Sequence, residues 1–135
     1  MERLHDLTAN KRVVARLFEL LNAGAHDEAV SLFTNDFIWS IPESIPGGGE
    51  KSAAEFRELL TGLMSMFDGQ PQYTVVSMTA ESDRVSVELL GVGHLKNGNH
   101  YRNHYHMLFF LSGTSIRRVN EYVDTHYSIK STFGG

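Results

Sequence analysis

Two histidines and an aspartate stand where two neighbouring strands can bring them together. His104 and His106 alternate along one run of strand-forming residues, and Asp124 ends the next run. Side chains two residues apart lie on one face of a strand. Imidazole exchanges protons near neutral pH, and an apolar pocket raises the pKa of a carboxyl group. The spacing therefore predicts acid/base chemistry, with Asp124, His104 and His106 as candidate catalytic residues.

The same region carries candidates for substrate binding. Two runs rich in β-branched and aromatic residues, 100–111 and 115–124, flank a short turn that contains Gly113. This pattern predicts a long antiparallel hairpin. Alternation places Arg102 on the face of the two histidines and Tyr122 on the face of Asp124. We predict a pocket mouth at the polar end of this hairpin, with these substrate-binding candidates: Trp39, Arg102, Tyr122, Glu43 and Tyr105.

Each candidate also has a structural interpretation. Asp124 would accept hydrogen bonds at a strand end, and the histidines would lie on a sheet edge or a dimer face. Tyr105 and Tyr122 would pack as cross-strand aromatics, and Trp39 would lie in the core. The choice of face depends on register, because a bulge between residues 100 and 107 would turn Tyr105 to the pocket in place of the histidines.

Metal and cofactor chemistry are not expected. The His104-x-His106 spacing is similar to the start of a cupin metal motif, which continues with a glutamate a few residues later. In this chain residues 107–111 are entirely apolar. His94 or His126 would supply a third ligand only through tertiary placement. We therefore expect no metal and no cofactor.

The elements that must position these residues change character near residue 70. Before it, apolar residues recur at helical spacing, and Ser52 with Glu55 forms a capping box. Residues 43–50 contain a proline and three successive glycines, which predicts a loop that serves as a lid or as a plain connection. We predict helices over 10–21, 26–33 and 52–67, and strands over 37–41, 73–79, 84–92, 100–111 and 115–124.

Strands that follow one another directly pair antiparallel, so the second half predicts a mostly antiparallel sheet. The order of elements gives an α+β fold in a single domain spanning residues 1–135. Apolar residues occur on both faces of the strand at 84–92, and such a surface is more stable buried against a second copy. We therefore expect a homodimer formed through the sheet.

Composition limits the partners of this chain. Of its 135 residues, 41% are hydrophobic and 21% charged, and the net charge is -4. A net negative charge gives no reason to expect nucleic acid or an anionic membrane as partner. The chain has no cysteine, which fits a reducing compartment. Residues 1–6 lack the apolar core of a signal peptide, and we expect a cytoplasmic protein.

Several segments in this order resemble the nuclear transport factor 2-like superfamily, and within it the SnoaL-like group of polyketide cyclases and ketosteroid-isomerase relatives. The resemblance covers nearly the whole chain. It rests on the opening amphipathic helix, the proline/glycine loop, and residues 33–39, 101–105, 113–116 and 121–124. It implies a cone-shaped barrel with the N-terminal helices packed on the concave face of a strongly curved sheet. It also implies a deep apolar pocket and a homodimer.

The resemblance assigns functional positions one at a time. In ketosteroid isomerases an aspartate base ends the first strand, where this chain has Ile41, and Glu43 is the nearest acid. The acidic residue that ends the last strand of polyketide cyclases and limonene-type epoxide hydrolases corresponds to Asp124. The Arg–Asp pair of those hydrolases corresponds to Arg102 with His104.

Two functions follow from these observations. The first is a cofactor-independent acid/base enzyme of cyclase, isomerase, dehydratase or epoxide-hydrolase type, acting on a small apolar cyclic or polyketide-like molecule. The second is a non-catalytic module of the same fold that binds a hydrophobic ligand or dimerises. A buried carboxylate in the pocket favours the first, and a wholly apolar pocket favours the second.

Overall fold

The described chain combines helices with a single sheet, and one of the helices lies in the sequence between two of its strands. The computed structural model describes residues 6–134, and all of the following elements lie within that range. The helices are α1 (Leu7–Asn22), α2 (His26–Val30), α3 (Ala53–Met64) and α4 (Thr125–Thr132). The strands are β1 (Phe33–Ile41), β2 (Gly49–Lys51), β3 (Gln72–Glu81), β4 (Arg84–His94), β5 (His100–Ser112) and β6 (Ser115–Val123).

The six strands lie in the order β2-β1-β6-β5-β4-β3. β1 and β6 run parallel, and every other neighbouring pair is antiparallel. The predicted α+β fold with a mostly antiparallel sheet is confirmed. The sheet remains open, because β2 and β3 form its two edges and do not pair with each other.

The N-terminal helices cover one face of the sheet. Asp6 is the N-cap of α1, and its side chain accepts a hydrogen bond from the backbone N–H of Ala9 at 2.9 Å. This helix packs on β3, β4 and β6, and α3 packs on β1 and β2. α3 begins with the predicted capping box of Ser52 and Glu55. These contacts bury an apolar core between the helices and the sheet.

Side chains on β5 alternate between the two faces of the sheet. Phe109 is fully buried and packs edge-on against Phe18 of α1, with ring centroids 5.8 Å apart. Tyr101, Asn103 and Met107 are buried on the same side. We call this side, which faces the helices, the inner face. The opposite side is the outer face.

Several element boundaries differ from the prediction. α2 ends at Val30, and Phe33 starts β1 four residues before the predicted strand. The short strand β2 lies at the end of the predicted loop and pairs with the last residues of β1. α4 was not predicted and follows β6 directly. No helix within residues 6–134 is long and apolar enough to cross a membrane.

Candidate functional site

A cavity lies between the inner face of the sheet and helices α1, α3 and α4. Its volume is about 130 Å³. An apolar cavity of about 150 Å³ holds a benzene ring, so this cavity has room for a small ring system. The lining is mainly apolar and consists of Phe18, Leu21, Trp39, Ile41, Ile45, Pro46, Gly47, Phe56, Leu59, Leu60, Leu63, Met64, Phe67, Pro71, Tyr73, Gly91, Val92, Tyr101, Tyr105, Met107, Glu121, Ser128, Thr132 and Phe133.

Glu121 is the one acidic or basic side chain among the described residues that line this cavity. It projects from the inner face of β6 opposite Met107 of β5. Its Oε1 accepts a hydrogen bond of 3.0 Å from the indole N–H of Trp39. Burial raises the pKa of Glu121 to about 7, and the Trp39 hydrogen bond opposes that rise. The carboxyl group is therefore able both to give and to take a proton near neutral pH.

Trp39 is held in place by its neighbours. β1 pairs with β6 so that Trp39 lies opposite Val119, two residues before Glu121. The indole ring stacks on Phe56 of α3, with centroids 4.0 Å apart and planes at 7°. Trp39 is only 2% exposed. Because the ring is fixed between β1 and α3, its N–H holds the carboxyl group of Glu121 in one position.

Three tyrosines bring hydroxyl groups to the same cavity: Tyr73 from β3, and Tyr101 and Tyr105 from β5. We call them the tyrosine cluster. The hydroxyls of Tyr101 and Tyr105 are hydrogen-bonded, and Tyr101 also contacts Ser128 Oγ of α4 at 3.2 Å. Burial raises the pKa of Tyr73 and of Tyr105, so both phenols stay protonated at neutral pH.

The buried amide of Asn103 connects this cluster to α4. Its Nδ2 lies 3.0 Å from Ser128 Oγ, 3.2 Å from the Asp124 carbonyl oxygen and 3.4 Å from the Tyr101 hydroxyl. Ser128 Oγ and the Tyr101 oxygen can both accept from this amide. The side of the cavity nearest α4 is thus polar and hydrogen-bonded.

The predicted site residues separate into two groups. Trp39 and Tyr105 line the cavity. Arg102, His104 and His106 are exposed on the outer face of β5. Tyr122 is 59% exposed on the outer face of β6. The predicted pocket mouth between these outer-face residues is therefore corrected, because they point away from the cavity.

The prediction assigned the wrong face of β5 to the cavity, although it described the alternation of side chains along the strand correctly. β5 pairs with β4 without a bulge from Arg84↔Phe110 to His94↔His100. The residues of the other parity, such as Tyr105 and Met107, are more apolar than the histidine parity, and they are the ones buried against the helices. Burial of apolar surface thus turns the histidines outward.

Asp124 and Glu43 lie outside the cavity as well. Asp124 is the N-cap of α4, and its side chain accepts a hydrogen bond of 3.1 Å from the backbone N–H of Tyr127. Glu43 borders a second groove beside Ser40, Asn120 and Tyr122, and Glu121 borders both this groove and the cavity. The substrate-binding role predicted for Glu43 and the catalytic role predicted for Asp124 stay predictions.

Five polar residues of the cavity were not predicted: Glu121, Tyr73, Tyr101, Ser128 and Thr132. The sequence does carry a signal for Glu121, because it shares its strand face with Val119 and Val123. A carboxylate on the apolar face of a strand needs a specific reason to be there. No comparable signal marks Ser128, which lies on a helix that the pattern did not predict. Among residues 6–134, no three His, Asp or Glu side chains cluster to hold a metal ion.

The open sheet, the helices on its inner face and the cavity between them give the α+β arrangement of the nuclear transport factor 2-like fold. Residues 14–119 match the model of the SnoaL-like domain. The chain belongs to the SnoaL-like domain family. No curated protein sequence matches the chain.

Solved structures share this fold over nearly the whole chain. An NTF2-like protein from Burkholderia xenovorans is 19% identical with a TM-score of 0.77, over 94% of this chain and 98% of that one. A protein assigned as a SnoaL-like polyketide cyclase, from Jannaschia sp., is 18% identical with a TM-score of 0.80, over 100% and 99%. AclR from Streptomyces galilaeus, assigned as a hydroxylase, is 14% identical with a TM-score of 0.79, over 92% and 95%. At these identities the likeness shows the fold alone.

Proposed function

We propose that the chain is a cofactor-independent enzyme that moves protons on a small, largely apolar cyclic molecule. Glu121 is the general acid/base, and the apolar walls hold the ring system. The observation that carries this proposal is a single carboxyl group in an apolar cavity, with one hydrogen bond, from Trp39, and a pKa near 7. A group with such a pKa is matched to proton transfer at neutral pH.

The simplest reaction is enolisation of a ketone. The Glu121 carboxylate takes a proton from a carbon next to the carbonyl, and the electron pair of the C–H bond moves toward the carbonyl oxygen. The Glu121 carboxyl group then returns the proton to the same or another carbon. Return of the proton to another carbon isomerises the ketone and restores the enzyme. Cyclisation and dehydration share only the first proton abstraction, and the proton then passes to the new alkoxide oxygen or to the departing hydroxide.

Trp39 has a positioning role in this reaction. Its N–H stabilises the charged form of Glu121 and leaves Oε2 without a hydrogen-bond partner among the described residues. Among the described side chains no fully buried nitrogen or oxygen atom lacks a partner, so Oε2 keeps contact with open space. Because Glu121 lines the cavity, we assign this oxygen to the ligand.

The alternative is a module that binds an apolar ligand and performs no chemistry. The mainly apolar lining favours this function, since such walls bind ring systems without any acid/base group. The two functions differ in one respect: only the enzyme accelerates proton exchange on a bound ketone.

Hydrogen–deuterium exchange on a cyclic ketone tests the proposal. We expect the protein to accelerate deuterium uptake in D₂O at the carbon atoms next to the carbonyl of 2-tetralone, followed by NMR. Glu121→Gln should lower this acceleration by roughly 10²–10⁴-fold, the usual contribution of a general acid/base. Gln has nearly the same shape as Glu and can still accept the Trp39 hydrogen bond.

The matched control is Glu88→Gln, the same change on an exposed residue of the outer face. It should leave the exchange rate unchanged. Equal rates for wild type and Glu121→Gln, or no acceleration by the wild type, would contradict the enzyme. Binding of 2-tetralone without acceleration would support the binding module instead.

A further inference from the structure

The hydroxyl groups of the tyrosine cluster and Ser128 carry more protons than the hydrogen bonds within the protein require. Tyr105, Tyr101 and Ser128 carry three hydroxyl groups joined by two contacts, Tyr105 to Tyr101 and Tyr101 to Ser128. Each contact uses one hydroxyl proton, and Asn103 acts on these groups as a donor. One of the three protons is therefore left over, whichever direction the chain of hydrogen bonds takes.

Tyr73 supplies a second free donor. Its hydroxyl has no hydrogen-bond partner among the described residues, and no described polar atom is both sealed and unpaired. The Tyr73 oxygen is thus accessible, and Tyr73 lines the cavity. A polar group of this kind inside an apolar pocket normally has a partner, and here that partner must come from the contents of the cavity.

A glycine makes room for this arrangement. Gly91 lies on the inner face of β4 opposite Tyr73 of β3. A Cβ atom at Gly91 would lie 3.0 Å from Cε1 of Tyr105 and 3.1 Å from Cε1 of Tyr73. The absence of a side chain therefore lets the two rings approach each other, with centroids 6.4 Å apart.

Tyr73 and Glu121 lie on different parts of the cavity wall. Two strands, β5 and β4, separate β6, which carries Glu121, from β3, which carries Tyr73. Glu121, Tyr73 and Tyr105 all line the same cavity. Between them the wall is formed by apolar residues such as Met107.

We propose that the tyrosine cluster is a hydrogen-bonding subsite for a carbonyl or hydroxyl oxygen of the ligand. The ligand is accordingly a ring system with an oxygen atom at each of two ends. One oxygen accepts a hydrogen bond from the tyrosines, and the other lies next to Glu121. This inference rests on the function proposed above, because it places a second contact on the ligand of that same site. It narrows the substrate class from apolar rings in general to rings oxygenated at two ends, such as diketones, quinones or dihydroxy aromatics.

Three naphthalene derivatives of nearly equal shape test the subsite by calorimetric titration. Naphthalene carries no oxygen, 2-naphthol carries one, and 2,6-dihydroxynaphthalene carries one at each end. We expect the affinity to rise in that order, by roughly 3- to 10-fold for each hydrogen bond gained. Tyr73→Phe and Tyr105→Phe should each lower the affinity for 2,6-dihydroxynaphthalene by a similar factor and leave that for naphthalene unchanged.

Tyr122→Phe is the matched control, because the same hydroxyl is removed from the outer face, where Tyr122 is 59% exposed. It should change none of the three affinities. Thermal melting of each variant verifies that it is folded. Equal affinities along the series, no effect of either cavity variant, or no binding of any of the three would overturn the subsite.

The two proposals can be refuted independently of each other. If the affinities do not depend on the tyrosines while Glu121→Gln still abolishes deuterium exchange, the subsite is wrong and the acid/base function stands. If the tyrosine dependence holds and Glu121 has no effect on exchange, the cavity binds oxygenated rings without performing the proposed chemistry.

Discussion

At the scale of single residues, the pKa of Glu121 depends on two opposing influences. Burial in the cavity disfavours its charged form, and the N–H of Trp39 favours it. The balance leaves the pKa at about 7, above the ordinary 4.5 of a glutamate. A folded chain that holds this proton more tightly than the unfolded chain has a stability that depends on pH.

Glu121 should make the free energy of unfolding fall as pH rises. Between about pH 4.5 and pH 7 the folded state binds more protons than the unfolded state, so raising the pH costs stability across this window and not above it. The full effect is about 3 kcal/mol at most. Urea unfolding at about pH 5 and about pH 8 should show a larger drop for the wild type than for Glu121→Gln. Parallel profiles of the two proteins would contradict a proton held by Glu121.

The sequence predicted part of this residue arrangement. Trp39 and Tyr105 were named as contacts of the pocket ligand, and both line the cavity. His104 and His106 were assigned to the cavity because their chemistry suits proton transfer, but their face of β5 is the outer one. Alternation follows from local geometry, whereas the face that is covered depends on helices far away in the chain.

At the scale of elements, α4 completes the cavity. Ser128, Thr132 and Phe133 of this segment contribute to the lining. The helix is short, and its buried residues, Ser128 and Ser131, are polar. Such a sequence has little apolar periodicity, which is why the pattern did not predict the helix. The capping box of α3, by contrast, depends only on residues three positions apart and was predicted correctly.

Removal of the N-cap of α4 should lower the stability of the protein and leave its deuterium exchange activity nearly unchanged. Asp124→Ala removes the acceptor for the Tyr127 N–H and should lower the free energy of unfolding by about 1 kcal/mol. Asp124→Asn keeps an effective N-cap and should be nearly neutral. Urea unfolding measures both changes. Deuterium exchange on 2-tetralone, corrected for the folded fraction, should be close to wild type in both variants. A loss of exchange in Asp124→Asn at unchanged stability would instead support the catalytic role predicted from the sequence.

At the scale of the whole molecule, the outer face of the sheet is not covered by any helix of the described chain. It combines polar side chains, among them His104 and His106, with apolar ones. Val76 of β3 is 57% exposed, and Tyr122 of β6 is 59% exposed. Leu108 and Phe110 are partly exposed between them. The sequence indicated apolar residues on both faces of the strands, and the structure leaves this set accessible to a partner.

We propose that two copies of the chain associate through this outer face, because the pairing would bury the apolar side chains that the helices leave exposed. Sedimentation at micromolar concentration should then give twice the 15.2 kDa mass of one chain.

Leu108 lies near the middle of the outer face on the long strand β5, opposite Ser86 and Asn120 of its neighbours. Leu108→Lys places a charge in the contact and should shift the protein to a single copy. Thr114→Lys, the same charge in the exposed turn after β5, should leave the mass at twice that of one chain. Circular dichroism of both variants checks that the sheet is intact. A wild type that sediments as one copy would disprove an interface on this face, and so would a folded Leu108→Lys variant that stays paired.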